Sequence, residues 1–126
     1  RRHLIVGCDA NAHHTAWGSS NINNRGECLL NFIVESNLVI MNQGRKPTFV
    51  QRRGTGVREE VLDITLASNY IATKVLNWSV LDEASASDHK YISLQNAMIE
   101  SYHKACPVME KNSRKKACWW NQGLET

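Results

Sequence analysis

The 126-residue sequence contains no long apolar run, no signal peptide pattern and no initiator Met. A membrane-spanning helix needs about 18 or more consecutive apolar residues, so none is predicted. Arg1-Arg2-His3 leads directly into a short apolar run, without the long apolar segment and small-residue cleavage site of a secretory signal. We therefore expect this chain to be a fragment of a longer protein.

The cysteines lack the spacing of a zinc site or a disulfide framework. No pair has CxxC spacing and no His follows at zinc-finger distance; the four are Cys8, Cys28, Cys106 and Cys118. Apolar residues make up 42% of the chain, enough for a hydrophobic core without disulfides. We predict buried thiols in an intracellular, reducing compartment.

The net charge is +3, and the positive charge is concentrated in two clusters. One lies in and around a single predicted loop and comprises Arg45, Lys46, Arg52, Arg53 and Arg58. The other lies near the C-terminus and comprises Lys104, Lys111, Arg114, Lys115 and Lys116. Basic clusters are compatible with nucleic-acid binding, but they are more often solvated surface. Charge alone leaves both interpretations open.

Short apolar runs separated by polar loops predict an α/β domain. An apolar stripe at helical spacing predicts one main helix over residues 25–36, with Asn24 as its N-cap and with Asn37, in the left-handed conformation, at its end. The polar segment 10–24 is predicted to be a long, functional loop, and the basic segment 51–60 the loop of a hairpin that spans 48–66. Strands are predicted at 3–8 (buried), 38–41, 48–50, 61–66, 74–81 and 91–94 or 91–98.

The apolar pattern weakens from about residue 100. Pro107 interrupts it, and residues 111–116 contain no apolar position. We predict a domain over residues 1–97 and a basic linker over residues 98–126.

Two polar residues follow the first predicted strand. Asp9 and Asn11 would point to the same side of an extended chain, at the end of a strand where ligands bind in α/β sheets. A carboxylate beside a carboxamide suits a site that activates water and holds a phosphate oxygen. The same residues also fit a strand that ends in an Asx turn.

A second polar group, Ser87-Asp88-His89, directly precedes the last predicted strand. The Asp88 carboxylate could bind a divalent cation, and His89 could stabilise a phosphoryl oxygen. Asp63, on a neighbouring strand, could hold the His89 ring in one orientation. The alternative is that Asp88 is a turn residue and His89 a half-buried surface side chain.

Three ordered motifs resemble the C-terminal half of the endonuclease/exonuclease/phosphatase superfamily: Asp-Ala-Asn (9–11), Leu-Asp-Ile-Thr-Leu-Ala-Ser (62–68) and Ser-Asp-His (87–89). Longer phrases at 11–19, 24–26, 47–50 and 87–92 resemble the apurinic-type endonuclease domain of jockey-like and R1-like non-LTR retrotransposons. The resemblance covers about residues 3–95. It implies the C-terminal half of a two-sheet, four-layer α/β sandwich with mostly antiparallel or mixed strands, followed by a linker toward a reverse transcriptase.

The resemblance also implies roles for individual residues. Asp9 would position and deprotonate the attacking water, and Asn11 would bind the scissile phosphate. Asp63 would orient His89, which would stabilise the developing charge. Asp88 would lie near the divalent cation, Mg²⁺ or alternatively Mn²⁺. The implied activity is Mg²⁺-dependent nicking of target DNA in the nucleus, which primes reverse transcription.

Residues near the DNA are predicted from the same resemblance. They lie on the long polar loop and on the basic segment: His13, His14, Arg52 and Arg53.

The sequence departs from the family pattern in two ways. Cys8 stands between Gly7 and Asp9, where the family has Gly directly before Asp. The N-terminal half, which supplies a metal-binding Glu and half of the sandwich, is missing, so an apolar patch should be exposed. We expect the isolated chain to be unstable and inactive. Two alternatives remain: a non-catalytic remnant that weakly binds DNA, and a phosphoesterase of the same superfamily.

Overall fold

The computed structural model describes residues 3–75 and 77–95. These residues form strands joined by loops, with one main helix, as the sequence predicts. The elements in chain order are β1 (Ile5–Asp9), a 3₁₀ turn (Thr15–Trp17), α1 (Asn24–Glu35), β2 (Leu38–Ile40), β3 (Phe49–Arg53), β4 (Gly56–Glu60), β5 (Asp63–Ser68), α2 (Asn69–Ala72), β6 (Asn77–Val80) and β7 (Ile92–Gln95).

All the strand pairs are antiparallel. β5 lies between β1 and β2 in a three-stranded sheet, and two hairpins, β3–β4 and β6–β7, complete the set. The register of the sheet pairs Asp9 of β1 with Asp63 of β5. Two carboxylates from distant parts of the chain are therefore brought to the same end of the sheet.

The hydrophobic core lies on both faces of the three-stranded sheet, because successive residues of a strand point to opposite faces. Ile64 and Leu66 of β5 pack with Ile33 of α1 and with Trp17. Ala67 belongs to a second cluster with residues that include Met41, Val75, Trp78 and Val80. Helix α1 therefore covers one face, and the β6–β7 hairpin covers part of the other.

Local side-chain chemistry sets the ends of α1. The Asn23 side chain accepts a hydrogen bond from the Gly26 amide at 2.8 Å, so the N-cap lies one residue before the predicted Asn24. At the other end, Asn37 has φ +52° and adopts the predicted left-handed conformation. Gly26 packs against the His13 carbonyl so closely that a Cβ atom would overlap that oxygen.

The prediction of a buried first strand is wrong. Among residues 3–75 and 77–95, β1 is an edge strand that pairs only with β5, and most of its residues are exposed, with Ile5 at 38%. Cys8 and Cys28 are exposed free thiols rather than buried ones. An apolar run in a sequence does not say how many faces of a strand are covered. Cys28 likewise lies outside the part of α1 that contacts the sheet.

The basic segment 51–60 is not a loop. It forms most of the β3–β4 hairpin, with a tight turn at Gly54 and Thr55, and β5 pairs with β1 and β2 instead of β3. Both faces of this hairpin are largely exposed, so no alternation of apolar and polar residues marks it. The predicted strand 74–81 is limited to Asn77–Val80, because α2 and its following turn occupy residues 69–74.

Several predictions lie outside the described residues: the linker 98–126 with its basic cluster, Cys106 and Cys118, and the extension of the last strand to 98. Within residues 3–75 and 77–95, no helix is long and apolar enough to cross a membrane.

Candidate active site

Three side chains predicted from separate motifs meet at one end of the sheet. His89 Nδ1 lies 2.9 Å from Asp63 Oδ2, and His89 Nε2 lies 3.7 Å from Asp9 Oδ2. The imidazole is therefore placed between the carboxylates of two neighbouring strands. It is about one third exposed, and the Asp9 side chain is about half exposed, so the site is open to a large substrate.

The hydrogen bond to Asp63 raises the pKa of His89 above its usual range; burial opposes this, and the charges of Asp63, Asp9 and Asp88 add to it. The protonated ring carries a hydrogen on each nitrogen. Since 3.7 Å is too long for a hydrogen bond, Nε2–H is not fully engaged by Asp9. This group is available to donate to an anionic oxygen placed between His89 and Asp9.

Neighbouring segments hold His89 in place. The Val50 amide donates to the Asp88 carbonyl at 2.8 Å, and the Lys90 amide donates to the Thr48 carbonyl at 2.7 Å. The Phe49 ring packs edge-on against the imidazole, with 5.1 Å between ring centroids. The segment around His89 thus runs beside β3 like a short extra strand.

Asn11 follows Asp9 but does not continue the strand. Its φ is +44°, and its amide donates to Asp9 Oδ1 at 3.0 Å. The assumption that Asp9 and Asn11 share one face of an extended chain is therefore wrong, and the Asx turn that the sequence also allowed is present. Asn11 is exposed beside Asp9. Its role in phosphate binding stays a prediction.

Asp88 is an exposed carboxylate whose Oδ2 accepts a hydrogen bond from Gln51 Nε2 at 3.0 Å. Carboxylate oxygens are suitable ligands for Mg²⁺, which commonly binds through one or two carboxylates and retains several waters. Within the described part of the chain, no three His, Cys, Asp or Glu side chains converge as a metal site. Asp88 can therefore supply part of a coordination sphere for Mg²⁺, and the described residues do not complete that sphere.

The sequence did not reveal two polar side chains beneath the site. Thr48 is fully buried, and its Oγ1 accepts hydrogen bonds from the Leu62 and Asp63 amides, each at 3.0 Å. The Asn42 side chain donates to the Asp63 carbonyl at 2.9 Å and accepts from the Thr65 amide at 2.8 Å. They fix the backbone at the start of β5, from which Asp63 projects. In the sequence, each of the two appears only as a polar residue beside a predicted strand.

The two loop histidines face the protein. His13 Nδ1 lies 2.6 Å from Asn21 Oδ1 and 3.5 Å from Glu60 Oε2. His14 Nδ1 accepts a hydrogen bond from the Ala16 amide at 2.9 Å and caps the 3₁₀ turn. Both rings make intramolecular contacts that local sequence does not reveal.

Arg52 and Arg53 lie at the end of β3 beside the hairpin turn, and both are exposed. The contacts with the His89 segment are made nearer the start of the strand, by residues 48–51. The two arginines lie beyond these contacts, next to the hairpin turn.

An open groove of about 430 Å³ leads along the uncovered face of β1 and β5 to Asp9 and Asp63. Its apolar lining includes Ile5, Ile92 and Leu94. The two carboxylates lie at the edge of this groove.

The geometry agrees with comparisons to known proteins. Residues 1–93 match the model of a family described as endonuclease-reverse transcriptase. The chain is also similar to the solved endonuclease domain of TRAS1, a telomere-specific non-LTR retrotransposon, with 33% identity and a TM-score of 0.68. This match covers 73% of our chain and 43% of the TRAS1 chain, so the similarity spans less than half of that domain. Comparison with curated protein sequences finds no match. The resemblance found in the motifs is confirmed, and the chain belongs to the endonuclease-reverse transcriptase family.

Proposed function

We propose that this chain supplies the water-activating and phosphate-binding part of a Mg²⁺-dependent endonuclease that nicks target DNA within a retrotransposon polyprotein. The main support is the position of His89 between Asp63 and Asp9. The family is that of retrotransposon endonucleases, which implies a DNA substrate. The similarity spans 43% of the TRAS1 chain. The activity of a whole endonuclease domain therefore belongs to this proposal and is not taken over from TRAS1.

In this mechanism the scissile phosphate lies beside His89 Nε2. The imidazolium donates a hydrogen bond to a phosphate oxygen and offsets the negative charge that develops during attack. Asp63 holds the ring through Nδ1 and favours its protonated form. Asp9 accepts the proton of the attacking water, whose oxygen bonds to phosphorus while the P–O3′ bond breaks, and the departing 3′ oxygen takes a proton from solvent to become the 3′-hydroxyl. Asn11 binds another phosphate oxygen.

The divalent cation of this proposal would be held in part by Asp88, an exposed hard oxygen ligand. Bound Mg²⁺ would neutralise phosphate charge. Mn²⁺ prefers the same ligand type and is an alternative cation.

The largely exposed β3–β4 hairpin is the proposed DNA contact. Arg52 and Arg53 are exposed at its end, where guanidinium groups can pair with backbone phosphates. His13 and His14 contribute less directly, because their rings are held by the loop itself. We further propose that residues 98–126 link this domain to a reverse transcriptase and that the protein acts in the nucleus.

A plasmid-nicking assay with Mg²⁺ tests the proposal, with this chain joined to the N-terminal half of such a domain, because the chain alone is expected to be inactive. The joined chain should convert supercoiled plasmid to the nicked form, and His89→Ala should slow this by about 100-fold or more, as expected for loss of a group that stabilises the transition state. His3→Ala is the matched control, because the His3 ring packs against Tyr70 rather than against a residue of the site. It should nick at the rate of the parent.

Two other results would point to the alternative functions. A folded chain that binds DNA with strong salt dependence but never nicks it would support the non-catalytic remnant. The exposed face of β1 beside the site favours this alternative for the isolated chain. Hydrolysis of a small phosphoester without nicking would support a phosphoesterase and overturn the endonuclease proposal.

A further inference from the structure

The β3–β4 hairpin contacts both loops that carry the site. We define the Asn11 loop as residues 10–23 and the His89 loop as residues 81–91. We propose that this hairpin positions both loops, through Gln51 on β3 and Glu60 on β4. The positioning itself does not depend on catalysis; only its consequence for the reaction rests on the proposed function.

Gln51 contacts the His89 loop and fixes the orientation of one of its side chains, that of Asp88. The backbone bonds from Val50 to Asp88 and from Lys90 to Thr48 align this loop with β3. They leave the direction of the Asp88 carboxylate free. The hydrogen bond of 3.0 Å from Gln51 Nε2 to Asp88 Oδ2 fixes that direction. A hydrogen bond to a charged acceptor is stronger than one between neutral groups.

Glu60 is the residue through which the hairpin contacts the Asn11 loop. Its carboxylate is buried, with the residue only 8% exposed, and it accepts three hydrogen bonds. Oε1 accepts from the Ser20 amide at 3.1 Å and from the Val61 amide at 3.0 Å, while Oε2 accepts from Ser20 Oγ at 2.8 Å. His13 Nδ1 lies 3.5 Å from Oε2. A buried carboxylate keeps its partners in place, because losing them would leave it desolvated and unpaired.

Glu60 also reaches the base of the Asn11 loop through His13. The His13 carbonyl accepts from the Asn23 amide at 3.1 Å, and the His13 amide donates to Asn23 Oδ1 at 3.2 Å. Asn23 is the N-cap of α1. The loop is thus fixed to the hairpin and to the helix, which limits where Asn11 can move.

Because the two contacts lie on opposite strands of one hairpin, DNA that shifts the hairpin would shift both loops together. The sequence places Gln51 and Glu60 within a segment that looks like an ordinary basic loop. Their role becomes apparent only from the hydrogen bonds in the folded chain.

Amide hydrogen exchange measured by NMR on the full chain tests this proposal without any need for activity. Gln51→Ala should speed exchange at the Val50 and Lys90 amides by about tenfold or more, as expected for loss of a charge-assisted hydrogen bond. Exchange at the Ser20 amide should stay within about twofold of the parent. Gln43→Ala, the same change at an exposed loop position, should alter neither.

Glu60→Ala should give the complementary result. Exchange should rise at the Ser20 and Asn23 amides, while Lys90 stays as in the parent. Glu60→Gln should restore much of the protection, because one side-chain oxygen can still accept from the Ser20 and Val61 amides. Glu59→Ala is the matched control, since Glu59 is the exposed neighbour on the same strand.

The Met41 amide, which donates to Thr65 within the main sheet, reports global opening. Equal acceleration at Met41 and at the loop amides in Gln51→Ala would overturn the proposal, as would unchanged exchange at Val50 and Lys90. Absence of nicking when the N-terminal half of the domain is supplied would refute the proposed function, whereas these exchange results would still decide the positioning role. Where nicking is measurable, Gln51→Ala should lower kcat more than it raises KM.

Discussion

Replacing Thr48 by Val should destabilise the fold through two backbone groups rather than through packing. Val has nearly the volume of Thr but lacks the oxygen that accepts from the Leu62 and Asp63 amides. Leaving a buried N–H without an acceptor costs about 1–3 kcal/mol. Leu62 is buried and Asp63 is only half-buried, so water can reach the second amide more easily. We expect a loss of about 3 kcal/mol in the free energy of unfolding.

Urea denaturation measures this loss. With an m value of about 1.5 kcal/mol/M for a small domain, the midpoint should fall by about 2 M at unchanged m. Thr48→Ser is the control, because it keeps the hydroxyl and removes one methyl group, which should cost about 1 kcal/mol. If Thr48→Val unfolds at the same urea concentration as Thr48→Ser or higher, the two amides do not depend on Oγ1, and the argument fails.

Two further predictions concern contacts of the Asn11 loop. Gly26→Ala should lower the unfolding free energy by about 1–3 kcal/mol, because the new Cβ overlaps the His13 carbonyl. Thermal denaturation measures this loss. A thermal midpoint equal to the parent's would contradict the close packing of loop and helix. Burial acts to raise the pKa of Glu60, but hydrogen bonds from the Val61 and Ser20 groups outweigh it and hold the pKa below the ordinary 4.5. Its contribution should be present above about pH 4.5 and lost as the pH falls through the folded-state pKa, so the urea midpoints of the parent and Glu60→Gln should converge in acid. A difference that persists unchanged at low pH would rule out this titration.

The sequence by itself determined the local structure wherever nearby residues provide the interactions. The apolar stripe of α1, the capping Asn residues and the left-handed Asn37 all act within a few positions of each other. The ordered motifs around Asp9, Asp63 and His89 likewise indicated the family, and the matching family model confirms it.

Only the tertiary structure decided how the site is assembled. The pairing of β1 with β5 sets Asp9 opposite Asp63, and the hydrogen bonds between β3 and the His89 loop bring His89 between them. The exposure of Cys8 follows from the position of β1 at the edge of the sheet. The sequence predicts a loop at 51–60, where most of the β3–β4 hairpin lies, because backbone pairing rather than alternating burial holds these strands together. These contacts join residues that lie far apart in the chain, and no local pattern of residue types encodes such a pairing.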